Sequence, residues 1–489
     1  MKKLSELLNG MEYQLVKGSP DVEICDVIYD SRKVCPGCVF VCISGTKIDA
    51  HDFIPEVAAK GAACVVIEKD VEVAEDVTVI RVPKARKALA ELSAAHFDHP
   101  TEKMTTIGFT GTKGKTTSTY MMKSILEKAG YKVGVVGTNG AVIAGEHFVT
   151  NNTTPESYQL QEYFARMVEA GCTHMIMEVS SQGLMMDRVA GINFDIGVFT
   201  NLSPDHIGPN EHKSFEEYRA WKGELFKRCR IGIVNADDPN TEALLEGHTC
   251  QVITFGCEEG VDYRAVNIQP KQNGRFMGIA FDLEGAQDLS VEVGIPGLFN
   301  VYNALGAVAA ALTLKVEHQA ILDAIRTIRV NGRMELVYAS DAFSVIVDYA
   351  HNGVSTRSLL ETLRAYQPKR LVVLFGCGGN RDPHRRYEMG EAAGSMADLS
   401  IVTADNSRWE KVENIMADIH IGLDPTGGKA IDIPDRREAI RYSIEHAEPG
   451  DVIAIIGKGH EDYQEVEGVK THFSDREEAE AVLKSLGLE

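Results

Sequence analysis

The sequence of 489 residues lacks any apolar run long enough to cross a bilayer. Its best candidate, ALGAVAAALTL at 304–314, falls well short of the ~20 residues that a membrane-spanning helix needs. The first residues, MKKLSELLNG, carry charge but no apolar signal-peptide core. We therefore expect no membrane span and a cytoplasmic protein.

Positive charge is also scarce. The chain has 50 lysines and arginines against 71 aspartates and glutamates, which gives a formal net charge of -21. General binding to nucleic acid requires a basic surface that neutralises phosphates. This charge balance excludes such binding, although an anionic ligand can still bind in a locally positive cleft.

Cysteines are few and scattered, ten in all. CPGC at 35–38 has CxxC spacing, but no second cysteine pair or histidine pair follows nearby to complete a zinc site. A redox motif would lie at a strand-to-helix turn, whereas this one lies between two strand-like runs. From the spacing alone we expect free, unreactive thiols.

Short apolar strands alternating with helical segments fill most of the chain and predict an α/β protein of three domains. The first, 1–98, is a small α/β domain. The second, 99–331, has the β-branched runs of a doubly wound parallel sheet, with an antiparallel insert at 262–294. The third, 332–489, repeats the alternation with four strands that end in polar or glycine-rich tails. Ligands bind at such strand ends in open α/β sheets.

GFTGTKGKTTSTYMM, at 108–122, has the features of a phosphate loop between a strand and a helix. Its glycines allow backbone N–H groups to turn towards an anion. Lys115 can reach terminal phosphates, and the Thr116 hydroxyl is placed to ligate Mg²⁺. The loop departs by one residue from the usual spacing of four residues between the glycines. A central sheet of the P-loop ATPase kind is therefore predicted.

Two polar groups follow neighbouring strands downstream. Glu178 ends the strand in MEVSSQGL, and His206 comes just after the strand in FTNLSPDHIG. Parallel strands would bring both to the edge that carries the phosphate loop, where they could complete the coordination of Mg²⁺. Lys222 lies in a predicted helix, and by itself it reads as a solvated lysine.

Eleven motifs follow one another along the chain: YDSRKVCPGCVFVCISG, TGTKGKTT, NNTTPES, MEVSSQGL, FTNLSPDH, GLFNVYNALGA, GRMELV, DYAH, FGCGGNRD, DNSR and GKGHEDYQ. In sequence and in order, they resemble the motifs of the Mur ligase family. The family implies a domain for the UDP end of a substrate, a domain for ATP and a Rossmann-like domain that brings an amino acid. It also implies that ATP phosphorylates the carboxylate of a UDP-N-acetylmuramoyl dipeptide. The amine of the amino acid then attacks the acyl phosphate.

The resemblance implies roles for individual residues. ATP would contact Gly111, Thr112, Lys113, Gly114, Lys115, Thr116, Thr117, Asn300, Asn303, Arg333, Asp348 and His351. The UDP-muropeptide would contact Ser31, Asn152, Thr153, Thr154, Ser180, Gln182 and Arg188. Mg²⁺ would be held by Thr116, Glu178, His206 and Lys222, the last as a carbamate. The catalytic set would be Lys115, Glu178, His206 and Lys222.

The third domain indicates which amino acid is added. DNSR at 405–408 resembles the DNPR of family members that add meso-diaminopimelate, with Ser407 in place of proline. Arg408 could form a bidentate pair with the distal carboxylate of diaminopimelate, which lysine lacks. The other implied contacts are Arg381, Asp405, Asn406, Gly457 and Glu461.

Three alternatives stay open at this point. The amino acid could be L-lysine or another diamino acid. The chain could also be a folylpolyglutamate synthase, which shares this kind of phosphate loop. It could finally be a regulatory P-loop protein, although Glu178, His206 and Lys222 would then have no task. We expect a monomer.

Overall fold

A computed structural model describes residues 1–45, 48–74, 76–208, 211–285 and 289–488. The chain divides into two compact units. The first unit comprises Met1–Asp262 and Gly306–Ile321, and the second comprises Tyr263–Leu305 and the chain from Leu322 onward. Within the described residues, no helix combines the length and the apolar character needed to cross a membrane.

The first unit begins with a small sheet in the order β2-β7-β6-β5-β4, in which only β2 pairs antiparallel to its neighbour. Side chains of its buried strands alternate between two cores: Val39 and Val41 pack with the helices that begin at Leu4 and Ala85, and Phe40 packs on the opposite face with the helix that begins at Ile54. The elements are β1 (Lys2–Lys3), α1 (Leu4–Leu7), β2 (Gln14–Lys17), β3 (Glu23–Ile24), β4 (Val27–Ile28), β5 (Val39–Val41), α2 (Ile54–Ala59), β6 (Cys64–Ile67), β7 (Thr78–Arg81) and α3 (Ala85–His96).

The same unit continues with a larger sheet in the order β11-β10-β9-β12-β8-β13-β14-β15. Across the sheet, neighbouring strands are parallel in the order β9, β12, β8, β13, β14 and β15. Beyond β9, the strands β10 and β11 add an antiparallel hairpin. The elements are β8 (Thr105–Thr110), α4 (Lys115–Lys128), β9 (Val133–Gly137), β10 (Gly140–Ile143), β11 (Glu146–Phe148), α5 (Ser157–Glu169), β12 (His174–Glu178), α6 (Ser181–Met185), β13 (Phe194–Phe199), α7 (Phe215–Gly223), β14 (Cys229–Asn235), α8 (Thr241–Leu244) and β15 (Gln251–Gly256). The chain order reverses around β8, and open α/β sheets bind ligands at such a switch point.

The second unit begins with three antiparallel strands, as the alternation at 262–294 predicted. They are β16 (Tyr263–Asn273), β17 (Phe276–Gly285) and β18 (Leu289–Val293), and they are followed along the chain by α9 (Phe299–Thr313) and α10 (His318–Thr327).

A further sheet of the second unit runs in the order β19-β20-β24-β21-β22-β23, parallel except for β19. The elements are β19 (Glu335–Ala339), β20 (Phe343–Asp348), α11 (Gly353–Arg364), β21 (Arg370–Phe375), α12 (His384–Met396), β22 (Leu399–Val402), α13 (Val412–Leu423), β23 (Ala430–Asp432), α14 (Arg436–Glu445), β24 (Asp451–Ile456), β25 (Tyr463–Val466), β26 (Val469–His472) and α15 (Asp475–Ser485). The motifs DYAH, FGCGGNRD, DNSR and GKGHEDYQ all begin at or just after the carboxyl ends of parallel strands of this sheet.

The α/β class and the parallel sheets predicted from the sequence are confirmed. The domain boundaries at 1–98, 99–331 and 332–489 stay predictions.

Candidate active site

The phosphate loop joins β8 to α4 and is held in shape by the end of β13. The backbone N–H of Thr112 donates to the Asn201 carbonyl at 2.8 Å. The Thr200 hydroxyl donates to the Lys113 carbonyl at 2.7 Å. Gly111 has φ 151°, and a Cβ there would collide with the Thr200 hydroxyl. The loop therefore requires glycine at this position, and hydrogen bonds within the protein hold its shape.

Two lysine side chains converge on one carbonyl of this loop. Lys115 Nζ donates to the Gly111 oxygen at 2.8 Å and to the Thr112 oxygen at 3.1 Å. Lys222 Nζ, from α7, donates to the same Gly111 oxygen at 2.8 Å and is buried. Burial, followed by the charge of Lys115, lowers the pKa of Lys222 well below its usual value. Lys222 is thus placed in the site and is not a solvated lysine.

Glu178 lies buried at the end of β12 and faces the start of α4. Its Oε1 accepts from the Thr116 hydroxyl at 2.9 Å and from the Thr138 backbone N–H at 2.9 Å. Its Oε2 accepts from the Thr138 hydroxyl at 3.1 Å. The register of β12 beside β8 places the carboxylate here, next to the predicted magnesium ligand Thr116.

His206 lies on the loop that follows β13 and is half exposed. Its Nδ1 is 3.0 Å from Glu211 Oε1, and its ring centroid is 6.0 Å from that of Tyr218. Tyr218 in turn contacts the phosphate loop through the Thr112 hydroxyl at 3.1 Å, and Lys222 Nζ lies 4.5 Å from its ring centroid. The structure therefore brings His206 to the same edge as Lys222, with Tyr218 between them.

The loop predicted to hold the muropeptide is tied to the end of β12. The Thr154 hydroxyl donates to the Glu178 carbonyl at 2.9 Å and accepts from the Ser180 backbone N–H at 3.0 Å. Arg188 Nη1 donates to the Thr154 carbonyl at 3.0 Å, and its Nε donates to Glu156 at 3.0 Å. Glu156 also pairs with Arg86 of α3. Buried and charged contacts therefore fix this loop to the end of β12 and to α3.

The remaining residues predicted for the muropeptide are more accessible. Asn152 is exposed, and Thr153 and Gln182 are half-buried. The Thr153 hydroxyl lies 3.1 Å from that of Thr138. Ser31 opens a short 3₁₀ turn, Ser31–Lys33, which the Asp30 carboxylate caps by accepting from the Arg32 backbone N–H.

In the second unit, the predicted ATP contacts fall into two groups. Asn300 and Asn303 are buried at the start of α9, where Asn303 Nδ2 donates to Asn300 Oδ1 at 2.9 Å. The guanidinium of Arg333 lies over the Tyr349 ring, 5.0 Å from its centroid. Asp348 caps two backbone N–H groups, those of Met334 and Ala350. His351, in the same turn, is exposed.

All the residues predicted to bind diaminopimelate line one cavity of about 240 Å³ in the second unit. They come from the ends of β21, β22 and β24, and they are Arg381, Asp405, Asn406, Arg408, Gly457 and Glu461. Asn406 is buried, and its Nδ2 donates to Glu461 at 2.8 Å. The wall carries both signs of charge, which suits a ligand that bears carboxylates and amines.

The backbone of Arg408 is held by the β25 hairpin. Arg408 has φ 52°, forms a bridge to Val466 and donates its backbone N–H to the Glu465 carbonyl at 3.0 Å. Its side chain donates from Nη1 to the Gly379 carbonyl at 2.8 Å, and its Nε lies 3.5 Å from Glu465 Oε2. A guanidinium with five N–H donors still has donors left for a ligand carboxylate.

Several residues of these sites were not predicted from the sequence. In the first unit they are Thr138, Thr200, Asn201 and Tyr218, and in the second unit they are Tyr349, Asp382, Arg385, Arg386 and Glu465. Asn201 lies at the carboxyl end of a predicted strand and could have been found by the rule that placed Glu178 and His206. Tyr218 reads only as the apolar face of a helix.

Models of one family match most of the chain. The Mur ligase middle domain matches residues 109–311, the Mur ligase glutamate ligase domain matches 332–459, and the Mur ligase family catalytic domain matches 23–97. The chain belongs to the Mur ligase family. Its members are ATP-dependent ligases of peptidoglycan precursor synthesis, so the chain is an ATP-dependent ligase.

Relatives of this Mur ligase align with nearly all of the chain. It is 40% identical over 488 residues to UDP-N-acetylmuramoyl-L-alanyl-D-glutamate–2,6-diaminopimelate ligase of Clostridium perfringens, covering 98% of this chain and 99% of the relative. It is also 40% identical over 484 residues to the enzyme of that name from Caldanaerobacter subterraneus, covering 98% and 99%. A solved structure of that name matches with a TM-score of 0.78 and 30% identity, over 100% of both chains.

Proposed function

We propose that this Mur ligase adds meso-diaminopimelate to UDP-N-acetylmuramoyl-L-alanyl-D-glutamate at the expense of ATP. The observation that carries the proposal is the cavity of the second unit, which is lined by all the residues predicted to bind that amino acid. The full-length relatives that bear the name of such a ligase support it. They favour it over a folylpolyglutamate synthase and over a regulatory nucleotide-binding protein.

In the proposed reaction, the phosphate loop positions the triphosphate of ATP. Backbone N–H groups of the loop and the helix terminus at Lys115 would bind phosphate oxygens. Lys115 would exchange its loop carbonyls for the terminal phosphates. A carboxylate oxygen of the substrate attacks the γ-phosphorus, and ADP leaves with the electron pair of the broken bond. The amine nitrogen then attacks the acyl carbon, the bond from that carbon to the phosphate oxygen breaks, and the departing phosphate takes up the proton that the nitrogen loses.

The residues of the first unit fit the predicted role for Mg²⁺. The Thr116 hydroxyl and the Glu178 carboxylate, in contact at 2.9 Å, are oxygen ligands of the kind that Mg²⁺ prefers. Within the described ranges, no three His, Cys, Asp or Glu side chains are grouped as an ion site. Mg²⁺ needs no such group, because it keeps several waters and phosphate oxygens as ligands. When bound, it would offset the repulsion between triphosphate and carboxylate; His206 is the further ligand proposed.

Lys222 fits the proposed carbamate. A neutral amine is the form that takes up carbon dioxide, with release of a proton, and burial beside Lys115 disfavours a second ammonium ion. The product is an anion next to the Lys115 ammonium ion, so an opposite-charge pair replaces the contact between a neutral amine and that cation. Its role would be to orient the ligands of the phosphate site.

The muropeptide would occupy the accessible side of the loop that Thr154 and Arg188 fix. Asn152 is an exposed group there, Thr153 and Gln182 are half-buried, and Ser31 would contact the UDP end. The Ser180 backbone N–H and the Arg188 guanidinium both donate to Thr154 and so shape the loop, and we propose a positioning role for these two residues in addition to any contact with the ligand.

One observation favours a second candidate amino acid, L-lysine. Glu465 already faces Arg408, and a carboxylate at that place would attract the distal ammonium group of lysine. The guanidinium keeps donors for a ligand carboxylate, and the cavity contains Arg381 and Arg385 as further cations. Diaminopimelate therefore remains the proposed substrate.

The test is a turnover assay with the UDP-dipeptide, ATP and one amino acid at a time. We expect phosphate release and a lengthened peptide with meso-diaminopimelate, and little with L-lysine or L-ornithine. Equal turnover with L-lysine would overturn the choice of amino acid. Absence of product with all three would overturn the proposed reaction. The proposal retains a cytoplasmic location and a monomeric enzyme, to be tested by fractionation and gel filtration.

A further inference from the structure

Three cysteines lie together at the edge of the small sheet in the first unit. Cys25 follows β3, and Cys35 and Cys38 precede β5. The Sγ atoms of Cys25 and Cys35 are 3.6 Å apart, and both residues are partly exposed. Cys38 is fully buried in the core below them, and burial raises the pKa of its thiol to about 11. Two of the three thiols are therefore open to reagents from solution.

The backbone holds Cys25 and Cys35 face to face. The Cys25 N–H donates to the Gly37 carbonyl at 3.0 Å, and its thiol donates to the Pro36 carbonyl at 3.3 Å. The Cys38 N–H donates back to the Cys35 carbonyl at 3.2 Å, which closes the CPGC turn. The two chain segments are thus fixed to each other next to the thiol pair. In the part of the chain that the structure describes, no ion site of three ligands is present to account for it.

We propose that Cys25 and Cys35 are a reversible dithiol–disulfide pair that is oxidised by low-molecular-weight disulfides. The thiolate of one cysteine attacks a sulfur of oxidised glutathione, and one molecule of glutathione leaves as its thiol. The second cysteine attacks the resulting mixed disulfide, and the second glutathione leaves. One S–S bond forms in the protein and one breaks in the oxidant, which takes up the two hydrogen atoms that the protein loses.

The environment of Cys25 makes this exchange slow. Burial, the neighbouring Cys35 and the charge of Asp26 raise the pKa of the Cys25 thiol, so its thiolate fraction at neutral pH is small. The pair is therefore suited to sustained oxidation and not to rapid turnover. The proximity of the second thiol then favours closure over a lasting mixed disulfide.

Oxidation would act on the chain between the two cysteines. That chain carries the turn Ser31–Lys33, and Ser31 is the residue proposed to contact the UDP end of the substrate. Bond formation requires the sulfurs to approach from 3.6 Å to about 2.05 Å. Resting on the proposed function, we expect oxidation to raise KM for the UDP-dipeptide and to leave KM for ATP unchanged.

The chemical test needs no activity. The full-length protein is incubated with oxidised glutathione, alkylated and digested with trypsin, which cleaves after Arg32 and Lys33 and so separates Cys25 from Cys35. We expect a linked peptide pair that fragmentation assigns to Cys25 and Cys35, and that dithiothreitol releases. Stable glutathione adducts on both cysteines without the link would overturn the proposal.

Variants sharpen this test. Cys25→Ser and Cys35→Ser should each abolish the link and leave a glutathione adduct on the remaining partner. Cys257→Ser, at the third partly exposed cysteine, is the matched control and should leave the link intact. An equal yield of a link between Cys25 and Cys38 in Cys35→Ser would overturn the assignment. If the link forms but KM for the UDP-dipeptide is unchanged, the expected effect on substrate binding is wrong. The disulfide itself would still stand, because mass spectrometry detects it without any activity measurement.

Discussion

Arg408 is the residue on which the choice of amino acid depends. Its guanidinium forms part of the cavity wall and is oriented by the Gly379 carbonyl. Arg408→Ala removes a charged hydrogen-bonding pair with the distal carboxylate, which should cost about 1.5–3 kcal/mol of diaminopimelate binding, or roughly a ten- to hundredfold rise in KM. Steady-state kinetics measure this change, and KM for ATP should stay constant. Unchanged diaminopimelate kinetics would contradict the proposed contact.

Glu465 has the opposite effect to Arg408, because its negative charge disfavours the distal carboxylate of diaminopimelate. Its Oε2 is 3.5 Å from Arg408 Nε, and both side chains are largely shielded from solvent. Glu465→Gln keeps the shape and removes the negative charge, so KM for diaminopimelate should fall by up to roughly fivefold, or about 1 kcal/mol. Any residual turnover with L-lysine should fall too. Competition assays that offer both amino acids measure the ratio of the diaminopimelate product to the L-lysine product. A shift of this ratio towards the L-lysine product in Glu465→Gln would contradict the prediction.

Lys222 is the buried residue that we propose to be carbamylated. Lys222→Ala should lower kcat by at least roughly a hundredfold, because an oriented charged group is lost from the phosphate site. Acetate or formate should partly restore kcat by occupying the place of the carbamate. Lys227→Ala, which removes a partly exposed lysine paired with Glu224, is the control and should keep kcat. Near-normal turnover of Lys222→Ala would refute the carbamate.

At the scale of elements, one buried ion pair supports the amino-acid cavity. Arg436 of α14 pairs with Asp475 of α15, and neither side chain has any solvent exposure. Arg436 also donates to the carbonyls of Ala404 and Ile456, which immediately precede Asp405 and Gly457 of the cavity wall. It therefore fixes the ends of β22 and β24 at the point where the site begins.

Arg436→Met should leave Asp475 buried and unpaired, and should cost about 3–5 kcal/mol of unfolding free energy. KM for diaminopimelate should rise in the molecules that remain folded. Arg437→Ala is the matched control, because Arg437 pairs with Glu478 at a more exposed position and should contribute less than about 1 kcal/mol. Denaturant unfolding separates the two variants, and equal losses would show that the buried pair has no special role.

Strand and helix patterns predicted much of this arrangement. β8, β12 and β13, and later β20, β21, β22 and β24, are apolar runs with polar tails, and parallel pairing then brings those tails to one edge of each sheet. This is why the phosphate loop, Glu178 and the cavity residues could be predicted. Tyr218 and Glu465 could not, because Tyr218 lies within a helix and Glu465 within an antiparallel hairpin, so neither follows the end of a parallel strand. Tyr218 meets Thr112 across 106 positions, and Glu465 meets Arg408 only through the β25 hairpin.

At the scale of the whole molecule, the net charge of -21 sets the response to salt. Excess negative charge destabilises a compact chain by self-repulsion. Raising sodium chloride shortens the Debye length from about 30 Å at 0.01 M to about 8 Å at 0.15 M, so the melting temperature should rise. The increase should shrink near the isoelectric point of about 5.2. Calorimetry at pH 7 and near pH 5.2, at low and high salt, measures this effect. A melting temperature that falls with salt at pH 7 would contradict the prediction.

Glu178 contacts two segments of the first unit through different atoms. Its carboxylate accepts from Thr116 at the start of α4, while its backbone carbonyl accepts from Thr154 in the loop proposed for the muropeptide. An isotope label on this one residue would therefore carry two separate reporters. Titration with nucleotide should move the carboxylate resonance first, and titration with the dipeptide should move the carbonyl resonance first.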